Sequence, residues 1–159
     1  MLIARSTLLS CSLLAPIFAT GALHAGGTYF NLGAGRTASG AANNGTVVGY
    51  AGAGAPYWVW TQAGGVVQIG GVSPGNAVGG EGSISDDGAF VGYTVFNTAS
   101  GFHEFARYEI ATGTSTPLGG IGAPCSTEIS SGWGMSGDGN SVVGLGWLTC
   151  NPAHAVQWT

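Results

Sequence analysis

One phrase occurs three times along this chain, and its spacing constrains the fold more than any other feature. Asn43-Asn44-Gly45-Thr46-Val47-Val48-Gly49 returns as Asp86-Asp87-Gly88-Ala89-Phe90-Val91-Gly92 and again as Gly137-Asp138-Gly139-Asn140-Ser141-Val142-Val143-Gly144. The glycines Gly45, Gly88 and Gly139 lie 43 and 51 residues apart. A second phrase follows each copy: Trp58-Val59-Trp60-Thr61, Ala106-Arg107-Tyr108-Glu109 and Val156-Gln157-Trp158-Thr159. A third, Ile69-Gly70-Gly71 and Leu118-Gly119-Gly120, follows two of them. Self-similarity at about 40 to 50 residues, built from turn and strand signals, marks a repeat architecture.

Each unit resolves into four short segments. The first ends at the Asn-Gly or Asp-Gly turn and the second is the Val-Gly run after it, so the two are expected to form a hairpin. The turn residues Asn44, Gly45, Asp87, Gly88, Asp138 and Gly139 are expected to form tight primed turns, with positive φ at both central positions. The third copy spends one more residue between Gly139 and Gly144, a surplus assigned to a β-bulge. The third segment carries the aromatics Trp58, Trp60, Tyr108 and Trp158, expected to be mostly buried. Strand alternation puts Trp58 and Trp60 on one face, Tyr57 and Val59 on the other. Arg107 stands where the first copy has Val59, which predicts a wetter face there. The fourth segment is Val66-Val67-Gln68-Ile69 and, with Pro117 marking an edge strand, Ser115-Thr116-Pro117-Leu118. Four antiparallel strands in a meander make the blade of a β-propeller. The expected fold is all-β, about three such units over residues 34–75, 76–124 and 125–159, in an incomplete or open propeller.

Thr28-Tyr29-Phe30-Asn31-Leu32 has the pattern of a fourth segment, and the chain stops at the end of a third. Residues 27–33 are therefore a candidate closing strand for the last unit. Propellers usually have four to eight blades. Three units leave room for an open stack, a fragment, or a homodimer completing a six-bladed ring.

Residues 1–25 read as a secretory signal peptide. Arg5 gives the positive end, Leu8 to Phe18 the apolar stretch, and Ala22-Leu23-His24-Ala25 the small-residue cleavage site. The apolar stretch is shorter than the roughly 20 residues a membrane span needs. What remains is Lys-free, with Arg36 and Arg107 against seven carboxylates. No basic stripe exists to hold phosphates, which argues against a nucleic-acid partner. Cys125 and Cys150 survive cleavage in an oxidising compartment and are expected to form a disulfide.

The phrases Ser136-Gly137-Asp138-Gly139 with Val143-Gly144, His154-Ala155-Val156-Gln157-Trp158-Thr159 and Leu118-Gly119-Gly120 resemble those of the bacterial extracellular HAF-repeat proteins. The resemblance runs over essentially the whole mature chain. Tyr57-Trp58-Val59-Trp60 departs from it by lacking the His. It implies export and β repeats, and no common catalytic residues.

The remaining chemistry is thin. Gly132-x-Gly134-x-x-Gly137 matches a dinucleotide fingerprint, but a turn and a Val-rich strand follow where the fingerprint needs a helix. Asp86, Asp87 and Asp138 have no alternating calcium-loop pattern, and hydrogen bonding within the turn accounts for them. Cys125, Cys150 and His154 would leave zinc short of a fourth ligand. Glu104 and Glu109, five apart on one strand, point to opposite faces and make a poor glycosidase pair. The expectation is a secreted, periplasmic or cell-surface bacterial protein. It acts as a binding or structural module toward a protein or glycan partner, with no catalysis, cofactor or metal. The alternatives are a carbohydrate-binding module with exposed Trp and a secreted polysaccharide-acting hydrolase.

Overall fold

Eleven strands and no helix make up the described part of the chain, residues 28–73 and 79–159 of a computed structural model. The expected leader lies outside the described residues. The chain divides into two units, Met1–Phe30 and Asn31–Thr159, and the second carries every described strand.

The first sheet is β1 (Thr37–Ala41), β2 (Val47–Tyr50), β3 (Tyr57–Thr61) and β4 (Gly65–Gly70), in that spatial order. The second is β5 (Ser83–Ile84), β6 (Phe90–Asn97), β7 (Phe102–Glu109) and β8 (Thr114–Gly119), again in order. The third is β9 (Ser130–Met135), β10 (Val142–Gly146) and β11 (His154–Trp158). Every pairing between these strands is antiparallel, so each unit is a meander. Pro117 falls in β8, an edge strand, where its missing N–H breaks no ladder.

Hairpins form where the Asx-Gly turns stand, but their geometry differs from the primed type. Gly45, Gly88 and Gly139 have φ of 85°, 72° and 71°, while Asn44, Asp87 and Asp138 keep negative φ. The glycine N–H closes each turn onto the carbonyl three residues back: Ala42 at 3.0 Å, Ser85 at 2.9 Å and Ser136 at 2.9 Å. The Asx side chain supplies the second bond. Asn44 accepts the Thr46 N–H, Asp87 that of Ala89 and Asp138 that of Asn140. One left-handed residue then suffices, and glycine takes it at no steric cost. The third turn is no longer than the second, since Ser85 donates to the Phe90 carbonyl across four residues, and a register shift does stand at the Val143/Gly144 step. Ser136 donates to the Ser141 carbonyl across four residues, whereas Ala42 donates to Thr46 across three. Bulges do occur, at Ser39 in β1 and Trp133 in β9, each opposite the Val-Gly step of the next strand.

The sheets stack face on face. Val48, Tyr57 and Val59 of the first form one cluster with Val91, Tyr93 and Ala106 of the second. Four tyrosines run edge-to-face through this layer, Tyr50 to Tyr57 at 6.3 Å, Tyr57 to Tyr93 at 5.5 Å and Tyr93 to Tyr108 at 6.2 Å. Each such pair adds about 0.5–1.5 kcal/mol beyond its area. The Tyr57 hydroxyl reaches the carbonyls of Val72 and Gly80, and burial pushes its pKa well above the ordinary phenol range. Trp58 is fully buried, while Trp60, Tyr108 and Trp158 are only half-buried, short of the burial expected for them. Their partners on the second strands are Val47, Val91 and Val142, which makes these three aromatics repeat equivalents.

Between the second and third sheets Arg107 is drier than its sequence suggests. Its guanidinium lies 4.7 Å from the Phe90 ring and 5.6 Å from the Trp158 ring, a weakly hydrated cation held between two π faces. Backbone bonds stitch the units along their turns: Asn43 donates to Asp86 at 2.8 Å, and Asp86 to Gly137 at 2.7 Å.

Residues 28–33 lie in no strand, so among the described residues the third sheet stays at three and β11 is its edge. Local bonds use the backbone groups a closing strand would need. Gly33 donates to Asn31 Oδ1 at 2.9 Å, and Arg36 donates to the Leu32 carbonyl at 2.9 Å. Cys125 and Cys150 are joined, with Cα atoms 4.3 Å apart and a separation of 25 residues.

Two outcomes follow for stability. Tyr57→Phe keeps the ring and removes a buried donor, so urea unfolding should show a loss of about 1–3 kcal/mol. The Cys125→Ser, Cys150→Ser double variant releases the loop and should lose about 3–4 kcal/mol in the same assay.

Candidate functional site

The third sheet has one face packed and one face open. Its packed face is built from small residues. A Cβ on Gly132 would meet the Tyr93 carbonyl, and one on Gly144 would meet the Phe105 ring. The Gly132 N–H donates to Thr94 Oγ1 at 3.0 Å, fixing the sheet on its neighbour. Val142 is fully buried on this side.

Alternation then puts Val143 and Leu145 of β10, with their β11 partners Gln157 and Ala155, on the opposite face. The bulge adds Trp133, whose Nε1 donates to Ser131 Oγ at 3.1 Å and so is held in place. Trp133 and Val143 remain 42% and 44% exposed. These side chains frame a shallow hollow of about 670 Å³ with no charged residue in its lining. In the first sheet the equivalents of Val143 and Gln157 are Val48 and Val59, both buried against the second sheet. The third sheet thus presents a blade-stacking face with no blade on it among the described residues.

The titratable groups are placed elsewhere. Glu104 is 3% exposed, accepting from Ser100 Oγ at 2.5 Å and from the Gly119 N–H at 2.7 Å. It anchors a turn and the end of β8. Glu109 accepts from Thr112 Oγ1 in an exposed turn. His103 Nδ1 lies 3.0 Å from the Thr127 carbonyl and donates there. His154 opens β11 and His103 is the second residue of β7, so the two histidines stand near the starts of equivalent strands. The turn carboxylates Asp87 and Asp138 are held below the usual carboxylate range, first by the hydroxyls of Ser85 and Ser136 and then by backbone N–H groups. Gly132, Gly134 and Gly137 lie in β9 and its turn, and no helix follows them.

Glu128 is the group that sequence reasoning missed. It is 3% exposed inside the disulfide loop and accepts from the Gly79 N–H at 3.0 Å. Desolvation pushes its carboxyl pKa up to about 7, against hydrogen bonds from Gly79 and Ser131 that lower it. It stands outside the repeat phrases, so no periodic signal points to it. Cys125, three residues before it, was the one cue.

No family model matches the chain, and no characterised protein matches it in sequence. Among solved structures, TolB from Acinetobacter baumannii superposes with a TM-score of 0.53 at 13% identity, covering 77% of this chain and 30% of TolB. The fold is β-propeller-like. A chain of the mitotic checkpoint complex aligns over 90% of this chain and 56% of its own at 16% identity, with a TM-score of 0.37. This chain therefore spans about 30% of TolB's length, and the likeness concerns the fold.

The buried carboxyl sets a pH dependence. The folded chain holds the Glu128 proton up to about pH 7, while an unfolded chain releases it near 4.5. The folded state therefore binds more protons between those values, and stability falls as pH rises through the interval. The contribution is full below about pH 4.5 and lost above about pH 7. Urea midpoints of Glu128→Gln should lack that part of the decline, because the amide keeps an acceptor for Gly79 and carries no charge.

Proposed function

We propose that this chain is a non-catalytic β-repeat module of an exported bacterial protein, working as a binding or structural element through the open face of its third sheet. The observation that carries this reading is the face itself. Trp133, Val143, Leu145 and Ala155 are apolar and open, while the same side of the first sheet is buried. The equivalent face of the first sheet is covered by a neighbouring sheet, which supports reading this one as a contact surface.

Export fits the Arg5, Leu8 to Phe18 and Ala25 pattern and the Cys125–Cys150 disulfide, which oxidising compartments favour. Among the described residues no helix is long and apolar enough to cross a membrane. The resemblance to HAF-repeat proteins accords with an extracellular or periplasmic module.

A glycan partner has one observation in its favour, the exposed Trp133 ring beside Gln157. Sugar recognition also needs several placed polar groups around the ring. Here the neighbours are Val143, Leu145 and Ala155, which favour an apolar protein surface.

The test is co-sedimentation of the purified chain with envelope fractions of the producing cell, read for wild type and Val143→Asp. Wild type should begin at Gly26 or Leu23 and bind, and the variant should bind at least about tenfold less while keeping its near-UV spectrum. Equal binding by the two proteins would remove the open face from the function. Loss of binding on adding a soluble polysaccharide would move the assignment to glycan recognition.

A further inference from the structure

We infer that the Cys125–Cys150 disulfide is a reducible latch on the turn that buries Glu128, and that its reduction by an external dithiol opens that turn and exposes the carboxyl. The inference stands apart from the open face of the third sheet.

The turn is tied down unevenly. Both backbone groups of Glu128 bond to Cys125. The Cys125 N–H donates to the Glu128 carbonyl at 2.8 Å, and the Glu128 N–H donates back at 3.2 Å. Its neighbours are held by β7 instead: the His103 N–H donates to the Thr127 carbonyl and the Ile129 N–H to the His103 carbonyl, each at 2.8 Å. Glu128 therefore keeps its place through Cys125, and Cys125 keeps its own through the bond to Cys150. On the other side residues 121–124 are exposed, and the Ala123 bond to the Leu148 carbonyl is long at 3.3 Å.

Two costs press this turn to open. Ser126 sits at φ 61°, the one left-handed residue other than glycine among the described residues. Such a conformation persists where the surroundings over-determine it. Glu128 is 3% exposed, and the contacts that set its proton affinity include no cation. Ionising it there is costly, whereas water would solvate the charge.

Few titratable groups lie on the elements packed against it. His103 on β7 binds the Thr127 carbonyl through Nδ1, and Glu104 beside it is held by Ser100 and the Gly119 N–H. Glu81, near Gly79, is exposed, and β9 carries no titratable residue.

Thr149, Cys150 and Asn151 are exposed, so a dithiol reaches the bond from that side. Its thiolate attacks the Cys150 sulfur and Cys125 leaves. The second thiol then displaces Cys150 and closes a cyclic disulfide. Two electrons and two protons pass from the dithiol to the cysteines, so the exchange itself is proton-neutral. The net proton is that of Glu128. The latched turn holds it up to about pH 7 and a solvated carboxyl releases it near 4.5, so rising pH between those values favours reduction.

The test equilibrates the purified oxidised chain with reduced and oxidised dithiothreitol at about pH 5.5 and about pH 6.5, where the thiols stay protonated. Thiols are then alkylated and counted by mass. The equilibrium constant for reduction should rise about sevenfold across that interval. Glu128→Gln should show no rise, and His103→Gln should keep it. The near-UV spectrum should survive reduction, because the tyrosine stack lies between the other two sheets. Infrared difference spectra at about pH 6 need no variant: reduction should replace a protonated-carboxyl band by a carboxylate band.

Four results would each overturn the inference: a constant flat with pH in the wild type, a rise that persists in Glu128→Gln, a rise lost in His103→Gln, or a rise accompanied by loss of the near-UV spectrum. The last would make the disulfide a support of the whole fold rather than of one turn. Where Glu128→Gln does not fold, the infrared change decides: its presence supports the latch and its absence removes it.

Discussion

In the described part of the chain the sheets carry apolar side chains on both faces, and covering them by stacking is the constraint on which the rest of the structure depends. A strand such as Tyr57-Trp58-Val59-Trp60 cannot turn a polar side to water, because neither side is polar. Stacking solves this for Tyr57 and Val59, which bury against Val91, Tyr93 and Ala106. Close stacking in turn demands positions with no side chain at all. A Cβ on Gly80 would fall within 1.8 Å of the Gly132 carbonyl oxygen, and one on Gly71 within 2.7 Å of the rings of both Tyr57 and Tyr93. The glycine content of the sequence is thus partly a packing requirement between sheets, in addition to its use in turns.

The turns depend on a second device, which links neighbouring units. In the second and third copies a serine precedes the Asp by two residues, and its hydroxyl donates to the carboxylate at 2.7 and 2.6 Å. The same hydroxyl accepts an N–H from the following strand, from Phe90 in one copy and Ser141 in the other. The first copy has Ala42 in place of the serine and Asn44 in place of the Asp. Its amide group donates instead to the Asp87 carbonyl of the next unit, at 2.7 Å. Exchanging a charged residue for an amide here changes an internal turn bond into a bond between units.

The repeat made the architecture readable. The Asx-Gly phrases located three hairpins, and the aromatic phrases located β3, β7 and β11. Turn type was not readable, because an Asx side chain that caps the next amide relieves the need for a second left-handed residue. The pattern in Thr28 to Leu32 suggested a strand, yet Asn31 and Arg36 bond locally to that backbone, a competition no period reveals. Arg107 read as a wet position because composition cannot show that Phe90 and Trp158 flank it. Trp133 was legible only as a letter in a glycine run. That it projects outward follows from a bulge in β9, and bulges leave almost no trace in sequence.

The third sheet shows why the same sequence logic yields a stable contact in one place and an open surface in another. Val48 and Val143 stand at equivalent positions, each followed by a glycine, and only the first has a sheet against it. The residues around Val143 are nonetheless mostly apolar. Gln157 replaces the Val59 equivalent, but Trp133, Leu145 and Ala155 stay apolar. Stacked repeats derive stability from each interface formed. The third sheet keeps, in Trp133, Leu145 and Ala155, apolar side chains of the kind such an interface uses.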